Sequence, residues 1–169
     1  GAVTNIAGTF GQKGFADGAG AAARFSSPYG LVQRSDGTLV VADWDNQRIR
    51  VVGLDGTVST MAGGAAGFVD GAMADAKFNH PQGMAIDGQD NIYFTDLENF
   101  RVRKISGSSV VTVAGDGMDG YADDADPQGA EFHGLEGLAV KSDGSMIYVA
   151  DGTRGEEVPY NRVRQIQVQ

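Results

Sequence analysis

Apolar residues fall in short runs of about five, separated by turns rich in Gly and Asp. Four kinds of run recur in a fixed order. The first is GLVQR at 30–34, GMAID at 83–87 and GLAVK at 137–141. A turn follows, SDGT, GQDN or SDGS, in which Asp-Gly and Asp-Asn favour a tight hairpin. The second run is LVVAD at 39–43, IYFTD at 92–96 and IYVAD at 147–151; being almost continuously apolar and rich in β-branched and aromatic residues, it predicts a strand buried on both faces. The third, RIRVV, RVRKI or RVRQI, alternates Arg with Ile or Val and predicts one wet face and one packed face. The fourth is VSTMA at 58–62 and VVTVA at 110–114, after which a Gly-rich connection of about twenty residues leads on. Helical spacing is hinted at only in GAGAAARF and GAMADAKF, one or two turns each.

The order is a repeat. Phe25, Phe78 and Phe132 are 53 and 54 residues apart, as are Gly30, Gly83 and Gly137. Asp43, Asp96 and Asp151 follow at 53 and 55; Arg48 and Arg101 are 53 apart, but Arg162 comes 61 later, which marks an insertion in GTRGEEVPY. Four antiparallel strands per unit at this period predict the blades of an all-β propeller, three per chain, in one domain spanning 1–169. The units run over about 9–62, 63–114 and 115–169. Their shared pattern is A-G, then D-G-x(4)-A-x-F-x-x-P-x-G, then strand–Asp and N-x-R-[IV]-R. It resembles the NHL-repeat β-propellers over essentially the whole chain. The first copy carries it as Asp17, Gly18, Ala23, Phe25, Pro28, Gly30, Asp43, Asn46, Arg48 and Arg50; the second carries every counterpart. The third departs from it, with Leu135 at the Pro position, Tyr160 at the Asn position and Asp124 at the Gly position.

The opening segment VTNIAG aligns with VSTMAG and VVTVAG, so residues 2–8 read as a fourth strand with no first three before it, while the chain closes just after a third strand. An unpaired edge seeks a partner. Propellers have four to eight blades, so three cannot close a ring; the resemblance implies that six often do. The expectation is a homodimer forming one six-bladed ring by strand exchange. Val3, Thr4, Asn5, Ile6 and Ala7 of each copy would pair with Arg162, Val163, Arg164 and Ile166 of the other. Half of a longer propeller is the competing reading, and it exposes the same surfaces.

Composition narrows the chemistry. There are 26 Gly, which suits many tight turns, and no Cys, which excludes disulfides and thiolate catalysis. A net charge of −9 with no basic run argues against nucleic acid as partner, and no apolar run is long enough for a membrane helix. The chain is expected to be soluble, its compartment unknown.

The long 4–1 and 2–3 connections share one face, where binding on a rigid scaffold is expected. Residues recurring in every copy suit fold maintenance. Asp17, Asp70 and Asp123 would hydrogen-bond loops, and Phe15, Phe68 and Tyr121 would act as plugs. Asp43, Asp96 and Asp151 would cap the 2–3 turn, and Arg48, Arg101 and Arg162 would pair with acids or carbonyls. Residues that break the repeat suit function. These are Tyr29, Gln82 and Glu136 before the strand-one Gly, Trp44 with Asp45, Glu98, and Arg154 in the insertion beside Glu156 and Glu157. Trp44, the sole Trp, either offers a face to a sugar or peptide or packs on the adjacent blade. No catalytic residue, metal ligand or cofactor is assigned. His80 and His133 are too few for zinc, and the acidic Asp116, Asp119, Asp123, Asp124 and Asp126 leave calcium possible without matching an EF-hand. The leading reading is a non-catalytic scaffold binding protein, peptide or glycan; the alternative, implied by the resemblance, is a metal-dependent hydrolase or lyase with its site on the propeller axis.

Overall fold

The computed structural model describes residues 1–152 and 161–168. Arg154, Glu156, Glu157 and Tyr160 lie outside the described residues. The chain forms three antiparallel sheets. The first contains β1 (Gly18–Ala19), β2 (Pro28–Gln33), β3 (Leu39–Asp43), β4 (Arg48–Val52) and β5 (Thr57–Gly63), in the order β1-β5-β4-β3-β2. The second contains β6 (Gly71–Ala72), β7 (Pro81–Ile86), β8 (Ile92–Asp96), β9 (Arg101–Ser106) and β10 (Ser109–Ala114), in the order β6-β10-β9-β8-β7. The third contains β11 (Leu135–Val140), β12 (Met146–Asp151) and β13 (Arg162–Gln167) in simple succession. The four expected strands are present in two sheets and three of them in the last. The two-residue outer strands β1 and β6 are additional. The hinted helices reduce in the first copy to a single 3-10 turn, Gly20–Ala22.

Strands β2, β7 and β11 lie side by side and bring the sheets together. Glycine makes this approach possible. A Cβ on Gly30 would meet the Gln82 carbonyl oxygen at 2.1 Å, and one on Gly83 would meet that of Glu136 at 2.1 Å. Two apolar layers fill the gaps between sheets. Val40, Ala42 and Ile49 pack with Phe78 and Phe94 between the first and second; Tyr93 and Val102 pack with Phe132 and Leu135 between the second and third. As expected, β8 is buried along its whole length, whereas β12 is buried on one face only, with Tyr148 40% exposed.

The Arg-bearing face of the third strand is not wet. Arg50 and Arg103 have 0% exposure. Arg50 spans Asp43 and Asp17, at 2.6 Å each, and Arg103 spans Asp96 and Asp70, at 2.6 Å each. Arg164 repeats the arrangement with Asp151 at 3.1 Å and Asp123 at 2.7 Å. A buried cation needs such pairing, because unpaired burial in a low-dielectric interior is costly. The outer carboxylate also reaches the fourth strand: Asp17 accepts the Thr60 N–H at 3.2 Å and Asp70 accepts that of Thr112 at 3.0 Å. Asp43 and Asp96 do accept from the turn residues Asn46 and Asn99, yet their main partner is the second Arg of each strand. Phe15 and Phe68 are lids rather than plugs. Phe15 lies 3.9 Å and 4.9 Å from Arg48 and Arg50, and Phe68 lies 4.0 Å and 4.9 Å from Arg101 and Arg103. Arg101 and Arg162 donate to loop carbonyls, as expected.

Val3–Ala7 is not in a sheet within the single chain. Its end is nonetheless fixed. Gly8 donates its N–H to the Gly20 carbonyl at 3.0 Å, and Ala7 packs against the buried cluster that contains Ala23.

Candidate functional site

The 2–3 connections form 3-10 turns, Trp44–Asn46 and Leu97–Asn99, each stopped by a left-handed residue, Gln47 (φ 55°) and Phe100 (φ 52°). Asn46 and Asn99 donate their side-chain N–H groups to the carbonyls of Gly14 and Gly67, at 2.8 Å each. These bonds tie the 2–3 turns to the long 4–1 loops, so both kinds share one face, as expected.

On that face an aromatic row crosses the first two sheets. The Trp44 indole stacks on the His80 imidazole at 3.8 Å and 17°. Tyr29 stands 5.9 Å from Trp44 at 54° and is 62% exposed. His80 is held in this pose by its backbone, whose N–H donates to the Gln47 side chain at 2.6 Å in a left-handed conformation (φ 58°). Trp44 thus packs on the adjacent blade while Tyr29 extends the row into solvent. The Trp44 Nε1 and His80 Nδ1 atoms are buried and make no hydrogen bond among the described residues. Glu98 lies beside the row, with its carboxylate 3.9 Å from His80 Nδ1.

Asp45 is occupied rather than available. It accepts from Lys13 at 2.7 Å, Ser26 at 2.9 Å and Ser27 at 2.8 Å. Lys13 first, then Ser27 and Ser26, hold its carboxyl down to about 2. Gln82 and Glu136 hold the position of Tyr29 on the next innermost strands, Gln82 half-buried and Glu136 exposed. Their backbones are braced through Thr95, whose hydroxyl accepts the Gly83 N–H at 2.8 Å and donates to the Glu136 carbonyl at 3.3 Å. The structure therefore brings Tyr29, Trp44 and Glu98 together and aligns Gln82 and Glu136 with them. His80, weighed from the sequence only as a metal ligand, joins the site through its stacking on Trp44. The signal for it was present, since Ser27, His80 and Gly134 differ at one repeat position, the same criterion that singled out Tyr29.

The five candidate calcium aspartates are dispersed. Asp116, Asp124 and Asp126 each accept a nearby backbone N–H, Asp119 meets His133 at 2.6 Å, and Asp123 meets Arg164. Among the described residues no three His, Asp or Glu side chains converge to hold a metal ion. Nor, among them, is any helix long and apolar enough to cross a membrane.

No protein-family model matches the chain. It is 31% identical over 144 residues to NHL repeat-containing protein 2 of Homo sapiens, covering 76% of this chain and 20% of that protein. It is 39% identical over 140 residues to the Arabidopsis thaliana protein SUPPRESSOR OF QUENCHING 1, chloroplastic, covering 75% of this chain and 13% of that one. The chain thus spans a fifth or less of these relatives. Among solved structures, a protein of unknown function from Bacteroides thetaiotaomicron superposes with a TM-score of 0.72 at 22% identity, over 84% of this chain and 35% of that one. An auxiliary nutrient binding protein of the same organism gives 0.64 at 22%, over 72% and 34%. A gluconolactonase from Xanthomonas campestris gives 0.55 at 18%, over 83% and 43%. These likenesses carry the fold alone. Registered repeats, antiparallel sheets joined by their innermost strands, and the similarity to NHL repeat-containing protein 2 place this chain in the NHL-repeat β-propeller family.

Proposed function

We propose that the chain is a binding and scaffold module whose loop face takes a peptide or glycan segment across the aromatic row. One observation carries this reading: Tyr29 projects into solvent, 62% exposed, from a row whose next members, Trp44 and His80, are stacked and locked. A rigid aromatic base with an exposed end offers contact area at little entropic cost. Gln82, Glu136 and Glu98 supply hydrogen-bonding groups around it. Similarity to NHL-repeat relatives and to a nutrient binding protein fits such a module. The hydrolase or lyase alternative has structural company in the gluconolactonase, but it requires converging metal ligands.

Glycan and peptide arrays, followed by titration of hits against Trp44 fluorescence, test the proposal. Trp44 is the only tryptophan, so the signal reports on this row alone. A hit that shifts Trp44 emission and weakens about tenfold or more in Tyr29→Ala supports it, that being the scale on which truncated aromatic anchors fail. Hits that ignore Tyr29→Ala, or stoichiometric metal bound to the purified protein, sink it.

A further inference from the structure

Arg48, Arg101 and Arg162 hold one place at the start of the third strand, and two of them are satisfied. Arg101 donates to the Asn99 carbonyl at 2.9 Å and to that of Asp116. Arg162 donates to the Tyr121 carbonyl at 3.3 Å. Arg48 makes no hydrogen bond and no ion pair among the described residues. Its Nε is buried without a partner, while its two Nη nitrogens reach the surface. A buried N–H with no acceptor is exceptional in a folded chain.

The difference begins in the loop after the fourth strand. From Gly115 the chain continues as Asp116-Gly117-Met118, but from Gly63 it continues as Gly64-Ala65-Ala66. The Asp116 side chain accepts the Met118 N–H at 2.7 Å, a local turn that fixes the Asp116 carbonyl beside Arg101. Gly64 has no side chain to make that turn. It lies against the guanidinium instead, so close that a Cβ would meet Arg48 Nη1 at 2.8 Å.

The guanidinium is nonetheless posed. Its carbon stands 3.9 Å from the centre of the Phe15 ring, as that of Arg101 stands 4.0 Å from Phe68. The platform is thus built in both blades, and only the acceptor is missing from the first. Nor do neighbouring acids claim the charge. Asp17 and Asp43 engage Arg50, and Asp45 engages Lys13. A planar fork held in place with its charge uncompensated matches a carboxylate, which it can take through two parallel hydrogen bonds. A doubly charged phosphate would meet stronger repulsion from a chain of net charge −9. The carbonyls of Asn46 and Gly64, counterparts of the pair that receives Arg101, accept no hydrogen bond among the described residues. An acidic residue of a peptide brings a carboxylate for the fork and an N–H for such a carbonyl.

We infer that Arg48 is a binding site for the carboxylate of an acidic residue in a peptide partner. It lies on β4, two strands away from Tyr29 on β2, and is separate from the aromatic row.

Nitrogen-15 spectra of the arginine Nε–H groups read this site directly. Titrating the chain with N-acetyl-glutamate amide should shift the Arg48 Nε–H and the Gly64 amide saturably and leave the Arg101 Nε–H in place. N-acetyl-glutamine amide, alike in shape but uncharged, should bind at least about tenfold more weakly. Galacturonate and inorganic phosphate present the other anions, and tighter binding of either would overturn the assignment to a peptide. Arg48→Gln should abolish the Gly64 response with the other amides unchanged, since Arg48 donates to nothing in the chain. Arg48→Lys keeps the charge but loses the fork and should weaken binding by about tenfold. Tyr29→Ala should leave the response intact, so failure at Arg48 and failure at the aromatic row are read separately. No saturable shift at Arg48, an equal shift at Arg101, or binding that survives Arg48→Gln would overturn the inference.

Discussion

At the scale of single residues, the arginine that spans two carboxylates is the unit from which each blade is tied. Arg103 is wholly buried, donates to Asp96 and Asp70, and also reaches the carbonyls of Lys77 and Val69, at 3.3 Å and 2.9 Å. Removing one member leaves an uncompensated buried charge, which typically costs about 3–5 kcal/mol. Arg103→Met is therefore expected to lower unfolding free energy by that amount in urea, and Asp96→Ala by a similar amount. The double variant should recover part of the loss, since neither charge is then stranded; equal and additive losses would contradict the pairing. Asp45 gives a prediction in pH. Its carboxyl is held near 2, below the ordinary value of 3.8, by Lys13 above all. A depressed folded value means that its contribution is present above about pH 4 and is lost as pH falls towards 2. Carbon-13 titration of the Asp45 carboxyl should show a midpoint near 2, and Lys13→Met should move it upward towards 3.8. An unmoved midpoint would remove Lys13 from the cause.

Elements were legible in proportion to how much of their signal was local. The second strands announce themselves by unbroken apolar composition, and β3 and β8 are buried as that composition predicts. The third strands deceive, because alternation of Arg with Ile or Val cannot reveal that a loop aspartate some thirty residues away covers the charge. Only tertiary structure brings Asp17 to Arg50. The outer strands β1 and β6 are two residues long, too short for any period to register. The site was partly legible for the same reason: Tyr29 and Trp44 stand out by breaking the repeat, whereas the stacking of His80 depends on how two sheets meet. Glycine at the innermost strands is where element and packing join. Gly83→Ala would drive a methyl into the Glu136 carbonyl, 2.1 Å away, and neither backbone can retreat without separating the sheets. It should cost at least about 3 kcal/mol, at the severe end of overpacking. Gly137→Ala, at the same repeat position but facing open space, should change the stability of a single chain by less than about 0.5 kcal/mol. Thermal melts of the two variants at low concentration make the comparison; similar losses would show that the glycines serve backbone conformation rather than close approach.

For the whole molecule, stability is a matter of neighbours. In a repeat array each unit rests on its own fold plus the interfaces it shares, so a unit covered on both sides outlasts one covered on a single side. The second sheet here is the covered one: Val40 and Ile49 close it from one side, Phe132 and Leu135 from the other. Among the described residues the third sheet has three strands and leaves Val163 and Tyr148 exposed, and the first leaves Leu31 at 55%. Amide exchange follows the free energy of local opening, so protection should rank β8 above β3, with β13 lowest. At high dilution this ranking reports the single chain. Equal protection in β3, β8 and β13 would show that each sheet rests on its own sequence alone; the ranked order would measure what each sheet owes to the sheet packed beside it.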